Sequence, residues 1–294
     1  MRNGRLMVWV VVMLAGVSAL GVEAEPLYEQ LSRAVVRLEG GRMVEKDGAM
    51  VLERVPVGTA FFVYTKPDLY VVSARHVVDI PYDLVARVPV RHDATGAIEV
   101  LWLELPADKW VHHPESGDEE TSYVDVAAMK IHWVRDRSVR YFRYEPTDSN
   151  DHEANQFPFV DAQPPEPVLV FGFPASIGFT LVKQRPLARS GIVAMNTGSR
   201  FLKIRGKWAD ERCSLVDCRM FGGNSGSPVT NQLRVGGEAP RVLGVTIAYN
   251  PDYAYGVIEP VSRVRETLDA ARGGDRSGDW KLIMEEAPKA GETP

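Results

Sequence analysis

The chain has 294 residues, of which 45% are apolar, and a formal net charge of −5 at neutral pH. This length holds one large or two small domains, with enough apolar material for a substantial core. The acidic balance excludes a broad basic surface, so nucleic acid is not an expected partner.

The N-terminus has the pattern of an export signal. Arg2 and Arg5 precede an apolar run over 6–20, and residues 22–24 (Val-Glu-Ala) fit a small-x-small cleavage site. The run is short for a membrane span, although an uncleaved anchor stays open as the alternative. We expect residues 1–24 to be a signal peptide. The mature chain would then work in the periplasm or outside the cell, without stable membrane association.

From residue 34 onward the sequence consists of short β-type runs broken by turn residues. Strands are predicted at 34–38, 49–54, 58–64, 69–73, 83–88, 98–104, 124–131, 168–173, 179–183, 190–194, 201–204, 213–216, 227–230, 242–249 and 253–258. A polar segment over 136–167 divides them into two halves. Such regular short strands with few helical patterns predict an all-β barrel or sandwich.

One helix is predicted at 261–272, because Val261, Val264, Leu268 and Ala271 recur at helical spacing. Glycines at 273 and 274 would end it. The segment 274–294 is mostly charged and, apart from 280–284, is expected to be a disordered tail.

Both cysteines, Cys213 and Cys218, lie in the mature part of the chain. An oxidising compartment allows a disulfide, but positions five apart on one strand point to opposite faces, so a bridge would need a turn between them. A disulfide and two separate buried thiols both stay open. The spacing is not a zinc motif, since no second pair or nearby histidine accompanies it.

The stretch 222–229 (GGNSGSPV) has an unusual local shape. Glycines beside Ser225 allow positive φ and close approach of a substrate to the main chain. A serine on such a turn can attack a carbonyl while the N–H groups of Gly223 and Ser225 stabilise the oxyanion. The alternative is a glycine-rich hairpin between strands, so the interpretation depends on a base and an acid upstream.

A candidate base and a candidate acid do occur upstream. His76 ends a strongly apolar strand, although a single histidine there is by default a buried structural residue. Asp125 lies inside another apolar run and needs donors, since burying a lone carboxylate is costly; a turn cap or an arginine pair would also supply them. The other histidines lack metal spacing, and His112 and His113 are expected to face solvent.

These residues carry a resemblance to a known family. The order His76, Asp125, Ser225 is that of chymotrypsin-type enzymes. The supporting strings are GTAFF (58–62), SARHVV (73–78), VDVA (124–127) and GNSGSP (223–228), with softer matches at 171–174, 190–193 and 243–245. The chain therefore resembles the bacterial trypsin-like serine peptidases, in particular their HtrA-like branch, but without a PDZ domain.

The resemblance implies a peptidase domain over 25–273 built from two six-stranded antiparallel β-barrels. The first would span about 34–135 and the second about 168–260, joined by the polar segment 136–167 and followed by the helix 261–272. The catalytic triad would be His76, Asp125 and Ser225, with Gly223 and Ser225 as the oxyanion hole.

The same resemblance implies an exported serine endopeptidase that acts on polypeptides and needs neither metal nor organic cofactor. A peptide substrate would pair with the strand that carries Thr246, Ile247, Ala248 and Tyr249. Arg219 stands six residues before the serine, where trypsin keeps an acid, so cleavage after Lys or Arg is not expected; it would favour acidic or polar side chains or simply face solvent. Asn224 replaces the aspartate that accepts a new N-terminus in digestive relatives, which argues against activation by propeptide cleavage.

The sequence leaves one alternative function open and excludes another. The first is a binding or scaffolding protein on the same fold with a silent site. The second, an α/β-hydrolase esterase, fails because Ser227 stands where its motif needs glycine and no histidine follows Ser225. The oligomeric state is not indicated by the sequence.

Overall fold

Strands dominate the parts of the chain that the computed structural model describes. These parts are 27–81, 83–92, 94–116, 123–131, 137–144, 159–175, 185–198, 203–204, 207–208, 212–232, 241–273 and 282–283. The segment expected to be a signal peptide therefore lies outside the described residues, as does the strand predicted at 179–183. Among the described helices, none combines the length and the apolarity that crossing a membrane requires.

The strands of the first half are β1 Val35–Lys46, β2 Ala49–Thr65, β3 Asp68–Ser73, β4 Leu84–His92, β5 Ile98–Leu105, β6 Val111–His112, β7 Ala127–Ile131, β8 Arg137–Ser138 and β9 Phe142–Arg143. Those of the second half are β10 Pro167–Gly172, β11 Leu187–Asn196, β12 Lys203–Ile204, β13 Lys207–Trp208, β14 Ser214–Asp217, β15 Pro228–Asn231, β16 Val242–Asn250, β17 Tyr255–Pro260 and β18 Leu282–Ile283. The helices are α1 Leu27–Arg33, α2 Arg75–Val78 and α3 Val261–Gly273.

The first half forms a ten-stranded sheet in the order β18-β5-β4-β1-β2-β3-β7-β6, with β8 paired to β4 and β9 to β2. It has more than the six strands expected, because the region before the polar segment already supplies seven, and β8, β9 and β18 join them. The runs predicted at 49–54 and 58–64 are one strand, β2. A bulge opposite Leu38 and Glu39 accommodates Pro56 there, so the proline does not end the strand.

The second half closes a six-stranded barrel, β10-β11-β14-β17-β16-β15, as expected. The all-β class and the C-terminal helix are likewise confirmed. Helix α3 packs against β7 of the first half and β16 of the second. Its four predicted core residues are all buried, so the helix packs on both halves and connects them.

The expectation that His113 faces solvent is wrong. Its side chain is buried, and its Nε2 lies 2.7 Å from Glu266 Oε2 on α3. Its Nδ1 accepts a hydrogen bond from the backbone N–H of Glu115 at 3.1 Å, so the ring proton is on Nε2 and donates to Glu266. Arg263 on the same helix, also buried, lies 2.8 Å from Glu266 Oε2 and from Glu115 Oε2. The sequence offered no sign of this network, because its members are far apart along the chain.

The two cysteines are buried thiols in different parts of the core. Cys213 packs in the large cluster that the first half shares with α3, whereas Cys218 packs inside the second barrel. They flank β14, which continues straight between them. Of the two alternatives, the structure therefore favours separate thiols.

Candidate active site

His76 and Asp125 lie against each other at the edge of the first half. His76 is on α2, a single helical turn that directly follows β3, and Asp125 precedes β7, the neighbour of β3 in the sheet. The backbone N–H of His76 donates to Asp125 Oδ1 at 2.8 Å, and His76 Nδ1 lies 2.5 Å from Asp125 Oδ2. Because a carboxylate oxygen only accepts, Nδ1 carries a proton, and in the neutral ring the lone pair is therefore on Nε2.

Asp125 is fully buried, and several neighbours satisfy it. Besides the two contacts from His76, the hydroxyl of Tyr123 donates to Asp125 Oδ1 at 3.4 Å. The backbone N–H of Asp125 donates to Glu259 Oε1 at 3.0 Å, and Glu259 on β17 is itself fully buried. The acid expected to need donors therefore has them, and a second acid from the other half holds its main chain.

Ser225 lies on a tight turn before β15. The N–H of Asn224 donates to Phe221 O at 3.1 Å, and that of Ser227 donates to Asn224 O at 3.0 Å. Gly223 and Gly226, on either side of the serine, have φ of +94° and +86°. These are values that side chains strongly disfavour, so the glycines make the turn that leaves Ser225 partly exposed.

The peptide between Gly222 and Gly223 is fixed in orientation. The carbonyl of Gly222 accepts a hydrogen bond from the N–H of Ala175 at 2.7 Å. In a trans peptide the N–H points away from the carbonyl, so the N–H of Gly223 faces the opposite side. Within the described residues no acceptor takes the N–H of Gly223 or of Ser225. Two backbone donors at the turn are therefore available to a ligand.

Thr59 on β2 ties this turn to the first half. Its N–H donates to Ser225 O at 2.9 Å, while its Oγ1 donates to Gly223 O at 2.8 Å and accepts from the N–H of Phe173 at 3.0 Å. Its own carbonyl accepts from Ser73 Oγ at 2.7 Å. The side chain is fully buried, so the hydroxyl joins the turn to the loop after β10 without solvent.

The histidine and the serine both lie at the interface, or seam, between the first and the second half. Gly58, next to Thr59, leaves so little room that an added Cβ would lie 2.5 Å from Val77 Cγ1 and 3.2 Å from Ser225 O. Val77 follows His76, so α2 and the serine turn pack on the same backbone. Within the described residues, no hydrogen bond joins His76 Nε2 to Ser225 Oγ.

The strand expected to bind a peptide is open on one side over part of its length. β16 pairs with β17 along Gly244 to Asn250, but β15 pairs with it only as far as Val245. Thr246 is buried, and its N–H and carbonyl bond to Ser227 and Gly226 of the serine turn.

Beyond Thr246, the three other residues expected to bind peptide differ in exposure. Ile247 is bulged and buried, Ala248 is half-buried, and Tyr249 is 40% exposed. A Cβ at Gly222 would lie 3.8 Å from the Tyr249 hydroxyl, so this ring reaches the serine turn. The open edge begins at Ile247 rather than at Thr246.

Arg219 is exposed, and its guanidinium lies 5.6 Å from the ring centre of Phe221. It therefore lies beside the serine turn, at the surface. In the described part of the chain, no group of three or more histidine, cysteine, aspartate or glutamate side chains is placed to hold a metal ion.

Two residues that organise the site were not singled out from the sequence. Thr59 lay inside one of the recognised strings, but nothing in a string marks which hydroxyl bridges two loops. Glu259 did carry a signal, since it is a charged residue within an otherwise apolar run, as Asp125 is. The same reasoning applied to Glu259 would have found it.

Comparison with known proteins supplies the family. The family model described as "Trypsin-like peptidase domain" matches residues 58–235, which is more than half of the chain. No curated protein sequence matches. The family match confirms the resemblance stated from the sequence motifs.

Solved structures supply the fold. The chain is similar to the HtrA-type protease AlgW with decapeptide, with a TM-score of 0.50 and 15% identity, covering 83% of this chain and 65% of AlgW. It thus spans slightly less than two thirds of AlgW. It is also similar to the Rv3671c protease from M. tuberculosis in its active form, with a TM-score of 0.49, 16% identity and coverage of 86% and 87%. The AlgW match confirms a trypsin-like fold.

Proposed function

This chain belongs to the family of trypsin-like peptidases, and we propose that it is an exported serine endopeptidase that uses His76, Asp125 and Ser225. One observation supports the proposal more than any other. Asp125 binds both the backbone and the ring of His76, at the seam to which Thr59 fastens the turn bearing Ser225. His113 is also paired with an acid, so it is the position of the His76–Asp125 pair at the same seam as the serine turn that distinguishes it.

In the proposed reaction, Ser225 Oγ attacks the scissile carbonyl carbon of a polypeptide while His76 Nε2 takes the hydroxyl proton. The proton then passes to the leaving amine, and an acyl-enzyme remains on Ser225 until water hydrolyses it. Asp125 holds the Nδ1 proton in place and stabilises the imidazolium that forms. The 2.5 Å contact between Nδ1 and Oδ2 supports this role.

The oxyanion that forms in each step would be stabilised by the N–H groups of Gly223 and Ser225. The fixed carbonyl of Gly222 supports this assignment, because it turns the N–H of Gly223 outward before any substrate arrives. Donors already oriented cost no reorganisation during the reaction, and losing one typically costs about 10²–10³ in rate.

Substrate would bind as an added strand. The edge of β16 beyond Thr246 supports this mode, because a peptide laid there would continue the sheet next to Ser225. Ala248 and Tyr249 would flank the peptide and Ile247 would act through its backbone, whereas Thr246, whose N–H and carbonyl bond to the serine turn, would act through its packing.

The experiment that tests the proposal is labelling with a fluorophosphonate probe, together with cleavage of casein. We expect the wild-type protein to be labelled and active, and Ser225→Ala and His76→Ala to be neither. The matched control is Ser262→Ala, which removes a hydroxyl on α3 far along the chain. Far-UV circular dichroism shows that each variant is folded.

The same experiment addresses the alternative of a silent binding protein. A folded wild-type protein that forms no adduct on Ser225 and cleaves nothing would favour that alternative. Unchanged cleavage by Ser225→Ala would end the proposed mechanism, because the hydroxyl of Ser225 would then not be the nucleophile.

Export is tested separately. We expect full-length protein made in a bacterial host to appear outside the cytoplasm with an intact mass that begins at Glu25, and a form lacking residues 1–24 to stay inside. Cytoplasmic retention of the full-length chain would contradict the assignment of residues 1–24.

A further inference from the structure

Two arginines from different parts of the chain lie against one aromatic ring beside the serine turn. The guanidinium carbon of Arg189, on β11, is 4.4 Å from the ring centre of Phe221, and that of Arg219 is 5.6 Å from it. Arg189 is half-buried and Arg219 is exposed. The face of an aromatic ring attracts a guanidinium, whose N–H groups along its edge stay available to a ligand.

Neither arginine forms an ion pair within the described residues, although Asp217 lies only two positions before Arg219. The Nε of Arg189 is buried and donates no hydrogen bond in that part of the chain. Because this Nε is too buried for a ligand to reach, it is the lack of an ion pair, and not this one atom, that distinguishes the two arginines.

The same protein contains a similar arrangement that is purely structural. At Trp102, the guanidinium of Arg87 lies 4.1 Å and that of Arg54 lies 4.9 Å from a ring centre. There, however, Glu39 is buried against Arg87, with Oε1 3.0 Å from its Nε. Among the described residues, no carboxylate is paired in this way with the arginines at Phe221, and this difference favours a carboxylate that the substrate supplies.

The backbone of Phe221 also helps to hold the turn that carries the serine. The carbonyl of Phe221 accepts the N–H of Asn224 and so begins the turn that carries Ser225. Met220, just before it, is buried against Gly256, where a Cβ would lie 2.4 Å from its Sδ. Phe221 is therefore fixed in place, and a group bound to the two arginines would lie next to the peptide segment under attack.

Resting on the proposed function, we infer that Arg189 and Arg219 form a binding site for a carboxylate of the polypeptide substrate. The carboxylate comes either from an internal aspartate or glutamate side chain or from a free C-terminus. The site makes the enzyme prefer acidic peptides over the neutral amides of the same shape.

The test uses a peptide with an amidated C-terminus in which Glu or Gln is placed at one position at a time. A second version of the peptide has a free C-terminus. We expect kcat/KM to favour Glu over Gln about tenfold at the best position, which is the effect of one charge-assisted hydrogen bond. In Arg189→Gln/Arg219→Gln the ratio should fall to about one. The preference should also shrink with added salt, because partly exposed charges are screened.

The matched control is Arg54→Gln, which removes an exposed arginine from the ring of Trp102 and should leave the Glu-to-Gln ratio unchanged. Equal cleavage of the Glu and Gln peptides at every position, with no gain from a free C-terminus, would overturn the inference. An acid preference that survives in the double variant would do the same. A gain seen only with the free C-terminus would identify the terminal carboxylate as the source.

Binding separates this inference from the proposed function. Fluorescence anisotropy with the Ser225→Ala protein measures the affinity for the Glu and Gln peptides without any catalysis. Tighter binding of the acidic peptide, lost in the double arginine variant, supports the site even if the wild-type protein is not labelled by the probe. Equal affinities in a protein that is labelled and active would refute the carboxylate site alone.

Discussion

The hydroxyl of Thr59 donates to the carbonyl of Gly223 at 2.8 Å, and it does so across the seam between the two halves of the protein. The same oxygen accepts the N–H of Phe173 at 3.0 Å. One side chain of the first half therefore holds two segments of the second, one of which contains a proposed oxyanion donor. Orientation of the serine turn depends on contact between the halves and not on the second barrel alone.

Replacing Thr59 by valine tests this dependence. Valine keeps the shape but leaves the carbonyl of Gly223 and the N–H of Phe173 buried without partners, a cost of about 1–3 kcal/mol for each group. We expect kcat to fall about 10- to 100-fold with a smaller change in KM, because a shifted donor weakens the transition state more than the bound substrate. Thr59→Ser keeps the hydroxyl and should stay close to wild type. A kcat for Thr59→Val equal to that of the wild type would show that the serine turn keeps its orientation without the Thr59 hydroxyl.

Glu259 offers a second test, this time of the acid side of the site. Glu259→Leu removes the acceptor of the Asp125 N–H, whereas Glu259→Gln keeps an oxygen in its place. We expect the leucine variant to lose about tenfold in kcat, since an unpaired buried N–H costs about 1–3 kcal/mol and Asp125 shifts to avoid it. The glutamine variant should retain most of the activity. If both variants lose activity equally, the charge of Glu259 matters and its role as an acceptor does not.

The sequence predicted the parts of the site that carry reactive atoms. His76, Asp125 and Ser225 each stand in a local pattern that chemistry makes unusual, such as an acid in an apolar run or a serine between glycines. The structure places the first two in contact and brings the third to the same seam. Their catalytic roles remain the proposal tested above.

The sequence did not predict contacts between distant residues. The pairing of His113 with Glu266 and of Thr59 with Gly223 depends on how two halves pack, and no local period or motif encodes that packing. The long β1–β2 hairpin was missed for a related reason. The strand predicted at 34–38 continues to Lys46, because cross-strand pairing with Val55 and Arg54 keeps Gly40 and Gly41 extended.

The state of the cysteines is open to direct measurement. Burial raises the pKa of the Cys218 thiol above its ordinary value of 9.0, an effect that Asp217 adds to and the nearby Arg189 opposes. We expect the native protein to react with neither thiol at pH 8 in a thiol titration, and the denatured protein to react with both without any reductant. Cys218→Ala should give one reactive thiol on denaturation. Denatured wild-type protein with no reactive thiol would instead reveal a disulfide.

The same pKa shift has a consequence for stability. The folded state holds the Cys218 proton more tightly than the unfolded state, so the contribution of this thiol to the free energy of unfolding is fully present below pH 9 and is lost as pH rises beyond it. In Cys218→Ala the free energy of unfolding should fall less steeply with pH over this range. Chemical denaturation of both proteins at pH 8 and at pH 10 measures it, and an identical pH dependence would contradict it.

Gly226 gives the sharpest prediction about the serine turn. It has φ of +86°, and an added Cβ would lie 1.9 Å from Thr59 O and 2.4 Å from Ser73 Oγ. Both the backbone angle and the contact with the first half therefore exclude a side chain. Gly226→Ala should lower the free energy of unfolding by about 3 kcal/mol or more and abolish labelling of Ser225, because the turn must move away from the seam.

Gly48 provides the matched control for this substitution. It has a similar φ of +78°, but nothing lies within 4 Å of the position that a Cβ would take. Gly48→Ala should therefore cost only the left-handed backbone strain of about 1–2 kcal/mol and leave labelling intact. Urea denaturation with probe labelling of both variants separates strain from contact. Equal losses in the two variants would mean that backbone angle alone, and not the closeness of the two halves, makes glycine necessary beside Ser225.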